Sequence, residues 1–116
     1  MATGTINNPW AAETITVTLN PQYVQLASWG SVTGVRKGNI VFIRINGLQV
    51  VNAITTQTII GTFSGSPASS SVITPIFTGS SVGGLCIVSS GANSISVNSV
   101  TSAGTNYYAE LIFPVG

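Results

Sequence analysis

The sequence has no histidine, no aspartate and a single cysteine, and only 4% of its 116 residues are charged. Without histidine a Ser-His-Asp or Cys-His relay cannot exist. With one Cys and neither His nor Asp, a transition-metal site lacks ligands, and no loop has the acidic spacing of a calcium site. No cofactor is expected. One cysteine cannot close an internal disulfide. The two carboxylates, Glu13 and Glu110, sit in different candidate strands, so pairing across a glycosidic bond would be a tertiary accident. The residues point to binding or assembly, not to an enzyme.

Charge is the scarcest commodity. An ordinary domain carries about 25% charged residues; here there are Glu13, Arg36, Lys37, Arg44 and Glu110. The formal net charge is +1, and the only basic cluster is Arg36-Lys37 beside a glycine, which reads as a turn tip. Phosphate backbones need clustered cations, so no nucleic-acid partner is expected. No run of about 20 apolar residues offers a spanning helix. The short chain lacks the aromatic girdles of an outer-membrane barrel, so no membrane insertion is expected. Met1–Asn8 shows no signal-peptide pattern, and no Asn-x-Ser/Thr sequon occurs. Two explanations of 44% apolar content with so little charge remain. One is a surface covered by copies of the chain; the other is a hydroxyl- and amide-rich exterior outside cells. Both fit together.

What is present is β-strand patterning. Apolar residues alternate, or run in short blocks rich in Ile, Val, Thr and aromatics, with Gly and Ser clusters between. Met1–Ala12 reads as an irregular lead-in, and residues 13–116 as one domain. Thr14–Leu19 alternates Ile15, Val17 and Leu19 against threonines. Tyr23–Trp29 and Ser31–Arg36 are separate candidates. Lys37-Gly38-Asn39 is a tight turn. Ile40–Val51 is apolar on both faces, with Ile40 and Phe42 on one side and Val41, Ile43 and Ile45 on the other. Such a strand lies between two layers. Asn46-Gly47 within it suits a hairpin or a bulge. Ile54–Phe63 is a further strand, Ser64–Ser71 a loop, Val72–Thr78 an edge strand broken by Pro75, and Gly79–Gly84 another loop. Leu85–Ser89 and Ser94–Val100 flank a hairpin turn at Gly91. Thr105–Phe113 closes the series, with Tyr107, Ala109, Leu111 and Phe113 on one face and Tyr108, Glu110 and Ile112 on the other. Eight or nine strands at this spacing predict an antiparallel β-sandwich, jelly-roll-like, in a single all-β domain.

Aromatics are the residues with binding interest. Saccharides lay their C–H faces on rings while amides and hydroxyls take their hydroxyl groups. Trp10, Trp29, Tyr107 and Tyr108 are the candidate ligand-binding residues. Arg44, on an otherwise apolar strand, is expected to pair with Glu110 or Glu13 at a subunit interface that also includes Phe42. Cys86, between Leu85 and Ile87, reads as a small buried thiol.

The stretch from Ser28-Trp29-Gly30 through Arg36-Lys37-Gly38-Asn39 and Ile40-Val41-Phe42-Ile43-Arg44-Ile45-Asn46-Gly47 resembles the C-terminal head domains of bacteriophage tail fibres and baseplate receptor-binding proteins. In those heads a basic-Gly turn leads into a long apolar strand that continues through a glycine, which favours the bulge at Gly47. The hairpin Leu85–Val100 and the Tyr-rich last strand extend the resemblance over residues 28–113. The loop Ser64–Ser71 departs from the Leu-Pro and Tyr-Arg-Pro signature of many such heads. The resemblance implies a homotrimeric β-sandwich head of a virion tail that binds a host surface saccharide. It further implies attachment to other tail proteins through the N-terminal segment. A purely structural decoration or spike protein, and a bacterial adhesin or pilus-like subunit, are the alternatives.

Overall fold

The computed structural model describes residues 12–79, 81–100 and 105–116. The expected lead-in falls almost wholly outside them. Among the described residues are nine strands and no helix: β1 (Glu13–Ile15), β2 (Val17–Leu19), β3 (Val24–Lys37), β4 (Ile40–Val50), β5 (Thr58–Phe63), β6 (Val72–Phe77), β7 (Val82–Val88), β8 (Ser94–Asn98) and β9 (Tyr107–Pro114). They form one antiparallel sheet in the order β1-β3-β4-β9-β6-β7-β8-β5-β2. The domain is all-β and antiparallel, as expected.

The sheet rolls up nearly into a barrel. Its two edge strands, β1 and β2, are separated in sequence by Thr16 alone, yet β1 pairs with β3 and β2 with β5. One short segment therefore draws both edges together, and edges are the part of a sheet that must be protected. Thr14–Leu19 is in this way two strands, not one. Thr16 breaks the ladder because its backbone turns to Ser64: its N–H donates to Ser64 Oγ at 2.9 Å, and the Ser64 N–H donates to its carbonyl at 3.0 Å.

Alternation decides the interior. In β4, Val41, Ile43 and Ile45 are each 1% exposed, while Phe42 between them is 41% exposed. In β9, Tyr107, Ala109, Leu111 and Phe113 point inward and Glu110 and Ile112 outward. Facing walls meet in the middle, where Phe63 and Phe113 pack with ring centroids 5.1 Å apart. Among the described residues no buried side-chain polar atom lacks a hydrogen-bond partner.

Several boundaries differ from expectation. Tyr23–Trp29 and Ser31–Arg36 merge into β3, whose pairing with β4 slips between Leu26 and Ser31. Between those pairs Ala27, Ser28, Trp29 and Gly30 stand opposite Gly47 alone, so the pattern looks interrupted while the strand continues. Residues 54–57 stay outside β5, with only an isolated bridge from Ile54 to Val100. Val82–Gly84, read as loop, opens β7. The expected edge strand, β6, lies between β9 and β7. Proline is tolerated there because the β6–β9 ladder is a single bridge, Phe77 to Tyr108; Pro75 can donate no ladder hydrogen bond. The turn at Gly38-Asn39 is as expected, joining Lys37 and Ile40 across two residues. Arg36 braces this hairpin, with Nε donating to the Gly38 carbonyl at 2.8 Å and Nη1 to Ser66 Oγ at 3.2 Å.

Candidate ligand-binding surface

The site is built on three adjacent strands, β3, β4 and β9. Gly47 bulges from β4 at a φ of +77°, and the β4–β9 register slips between Asn46 and Leu48. That backbone conformation is cheap only for glycine. The missing side chain matters equally. A Cβ at Gly47 would stand 2.8 Å from Trp29 Cζ3 and 2.9 Å from its Cη2. Trp29, on β3, therefore lies across β4 in the space that Gly47 leaves open. Its ring reaches Tyr108 on β9, with centroids 6.3 Å apart and planes 25° from parallel. Trp29 remains 54% exposed and Tyr108 is half-buried. Offset rings at this separation attract each other, and the pair forms one aromatic shelf open to solvent.

Beside the shelf runs a groove of about 450 Å³ along the β6–β9 seam. Tyr108, Phe77 and Ile112 give it apolar walls, while Arg44, Asn46, Thr74 and Glu110 supply polar groups. It exists because β6 separates from β9 beyond the single Phe77–Tyr108 bridge. A mostly apolar cleft with a few convergent polar groups is the usual form of a small-molecule site.

Arg44 and Glu110 face each other in register across β4 and β9. Arg44 Nε stands 3.6 Å from Glu110 Oε1, with side chains 71% and 64% exposed. The pairing with Glu110, not Glu13, is the one present; such an exposed pair is worth little to stability. Phe42 pairs in register with Ile112 on the same outer face, so Phe42, Arg44 and Glu110 are neighbours. Glu13 lies three strands from Glu110 in the sheet order, about 14 Å around the wall.

One candidate requires correction. Tyr107 is 1% exposed and belongs to the core, because it shares the inward face of β9 with Leu111 and Phe113. Its ring has no face for a ligand. Trp10 lies outside the described residues. Cys86 is fully buried on β7, and burial pushes its thiol up from 9.0 to about 12. Among the described residues no cluster of three or more His, Cys, Asp or Glu side chains could hold a metal, and no helix is long and apolar enough to cross a membrane.

Sequence reasoning missed Phe77, Asn46 and Thr74. The signal for Phe77 was present: Ile73, Pro75 and Phe77 alternate on one face, and all three are exposed. Asn46 was read only as half of a turn signal. Nothing in the sequence places Thr74 and Glu110 on one groove, since they come from opposite sides of the seam. Compared with family models, with curated proteins and with solved structures, the chain matches none.

Proposed function

We propose that this domain is the receptor-binding head of a bacteriophage or prophage tail, which attaches as a homotrimer to saccharide on a host cell surface. The observation that carries this reading is the solvent-facing Trp29–Tyr108 shelf beside a groove with guanidinium, amide, hydroxyl and carboxylate groups. Sugar rings present C–H faces to aromatics and hydroxyls to such polar groups, and a rigid shelf loses little freedom on binding. The exposed hydrophobic side chains of the outer wall, Phe42, Ile73 and Ile112 among them, support assembly from copies, since exposed apolar patches mark interaction surfaces. The resemblance of residues 28–113 to tail-fibre heads gives the biological setting, at the virion tail outside the cell.

The test is a glycan array probed with the purified protein, followed by titration of any hit. Binding is expected in the wild type and is expected to fall at least tenfold in Trp29→Ala and in Tyr108→Ala. Binding unaffected by both substitutions would remove the shelf from the reading. A silent array would overturn saccharide attachment and leave the second reading, a structural virion component without a small ligand. That reading draws on one specific feature: from Ile45 to Ala109 the chain has no charged residue.

A further inference from the structure

We infer that the saccharide taken by this groove is an uncharged one, and that the Arg44–Glu110 pair is what selects it. This rests on the saccharide-binding reading above and names its ligand class. The register lays out the outer face in rows. Ser31, Asn46 and Tyr108 stand side by side on β3, β4 and β9, and Thr33, Arg44 and Glu110 form the next row. Two residues along a strand separate the rows by about 7 Å, at roughly 3.4 Å per residue. One pyranose ring spans that gap. A sugar lying on Tyr108 therefore brings its hydroxyl groups to Arg44 and Glu110.

The polar groups of the groove are unengaged. Elsewhere in the molecule such side chains bond to neighbours: Gln25 to Gln49, Gln49 to Asn106, and Arg36 to the Gly38 carbonyl and Ser66. Among the described residues Asn46, Thr74, Arg44 and Glu110 have no such side-chain hydrogen bond. Arg44 Nε and Glu110 Oε1 stand 3.6 Å apart, an ion pair too long for a hydrogen bond.

Hydrogen-bond chemistry decides the class. A guanidinium only donates and a carboxylate only accepts, whereas a hydroxyl does both. A sugar hydroxyl between the two accepts from Arg44 and donates to Glu110, and both bonds are charge-assisted. A carboxylate, sulfate or phosphate on the ligand satisfies Arg44 alone and brings like charge to Glu110. An ammonium group fails in the same way at Arg44. No other charge tips the balance. From Ile45 to Ala109 the chain has no charged residue, which includes all of β6 on the far side of the groove. Lys37 pairs with Ile40, four residues along β4 from Arg44 and roughly 14 Å away. That exceeds the Debye length of about 10 Å at about 0.1 M salt. Arg36 stands opposite buried Val41, on the other face of the sheet, and Glu13 is the register partner of Arg36. The groove is electrically balanced, and an uncharged ligand leaves it so. Arg44 and Glu110 then face the ligand and not a neighbouring copy.

The test is a glycan array carrying neutral glycans that end in galactose or N-acetylglucosamine, the sialylated and sulfated forms of the same glycans, and glucosamine with its amine free. The strongest hit is then titrated by isothermal calorimetry at low and high sodium chloride. Neutral glycans are expected to bind, their sialylated and sulfated forms to fail, and the affinity to be unmoved by salt. Glu110→Gln, with far-UV circular dichroism as the check on folding, is expected to weaken the neutral hit about fivefold by removing charge assistance. The same variant is expected to admit the sulfated form, with an affinity that salt reduces. Should it not fold, Arg44→Gln supplies the mirror result, a weaker neutral hit and admission of the free-amine glycan. Hits confined to sialylated or sulfated glycans, or equally strong on them, would overturn the uncharged class and leave saccharide binding standing. Neutral binding that Glu110→Gln and Arg44→Gln both leave unchanged would overturn selection by the pair, while its loss in Trp29→Ala would still uphold the saccharide reading. An array silent throughout would overturn both.

Discussion

Trp29 lies across Gly47: the indole of one strand fills the space where its neighbour has no side chain, so closely that a Cβ at Gly47 would stand 2.8 Å from Cζ3. The two residues are therefore one structural unit, and substitution of either is felt at the other. Gly47→Ala is expected to cost about 1–2 kcal/mol from the positive φ alone, plus the displacement of the ring. In a Trp29→Ala background the ring contribution disappears and only the backbone cost remains. A double-mutant cycle by urea denaturation is expected to show coupling of about 0.5 kcal/mol or more. Additive costs would mean that the indole sits elsewhere.

The Arg44–Glu110 pair is expected to behave differently. Both side chains face water, and exposed pairs contribute about 0–1 kcal/mol. Glu110→Gln should shift the stability of the dissociated chain by less than about 0.5 kcal/mol, and that shift should shrink further as salt is raised. A cost of several kcal/mol in the denaturation midpoint would show that the pair is buried by something other than this chain.

Core and surface alternate residue by residue in β9, so neighbouring substitutions should differ sharply. Leu111→Ala and Phe113→Ala, at 0% and 1% exposure, are expected to destabilise by about 3–5 kcal/mol. Ile112→Ser, between them and exposed, is expected to cost under about 1 kcal/mol in thermal denaturation of the dissociated chain. Equal losses at all three positions would contradict the register of β9 against β4.

Cys86 offers a pH signature. Burial raises its thiol pKa from 9.0 to about 12, so the folded state resists ionisation that the unfolded state permits. Its stabilising contribution is complete below pH 9 and declines as pH rises from about 9 toward 12. Cys86→Ala is expected to flatten that decline in stability measured between pH 8 and 11. In the wild type, maleimide reaction at pH 8 should be limited by unfolding. Rapid labelling of native protein would refute the burial.

Much of the fold was legible because the barrel needs one apolar face from every strand, and that need is written as alternation. β4 and β9 were readable residue by residue, as was the turn at Gly38-Asn39, whereas Asn46-Gly47 suited a hairpin as well as the bulge that forms. The alternation in β9 already put Tyr107 with Leu111 and Phe113, which is why its ring is in the core. What alternation does not encode is which strands are neighbours. The division at Thr16 depends on Ser64, distant in sequence, and the position of β6 depends on a seam that proline leaves unladdered. The shelf was half legible: Trp29 and Tyr108 could each be named, but their meeting requires β3 and β9 to flank β4. The groove was not legible, because it arises from a gap between strands and not from any motif.

The last strand, β9, does not sit at an edge of the sheet but between β4 and β6. A nascent chain emerging from the ribosome can pair β3 with β4 early, since they form a hairpin. It cannot close the wall between β4 and β6 until β9 has been made. Every core contact of Leu111 and Phe113 waits for the same moment. Until then the half-wall β6-β7-β8-β5-β2 meets the first hairpin only through the β1–β2 segment, and its β6 side stays open. A premature stop anywhere before Tyr107 yields no smaller barrel, only an incomplete one.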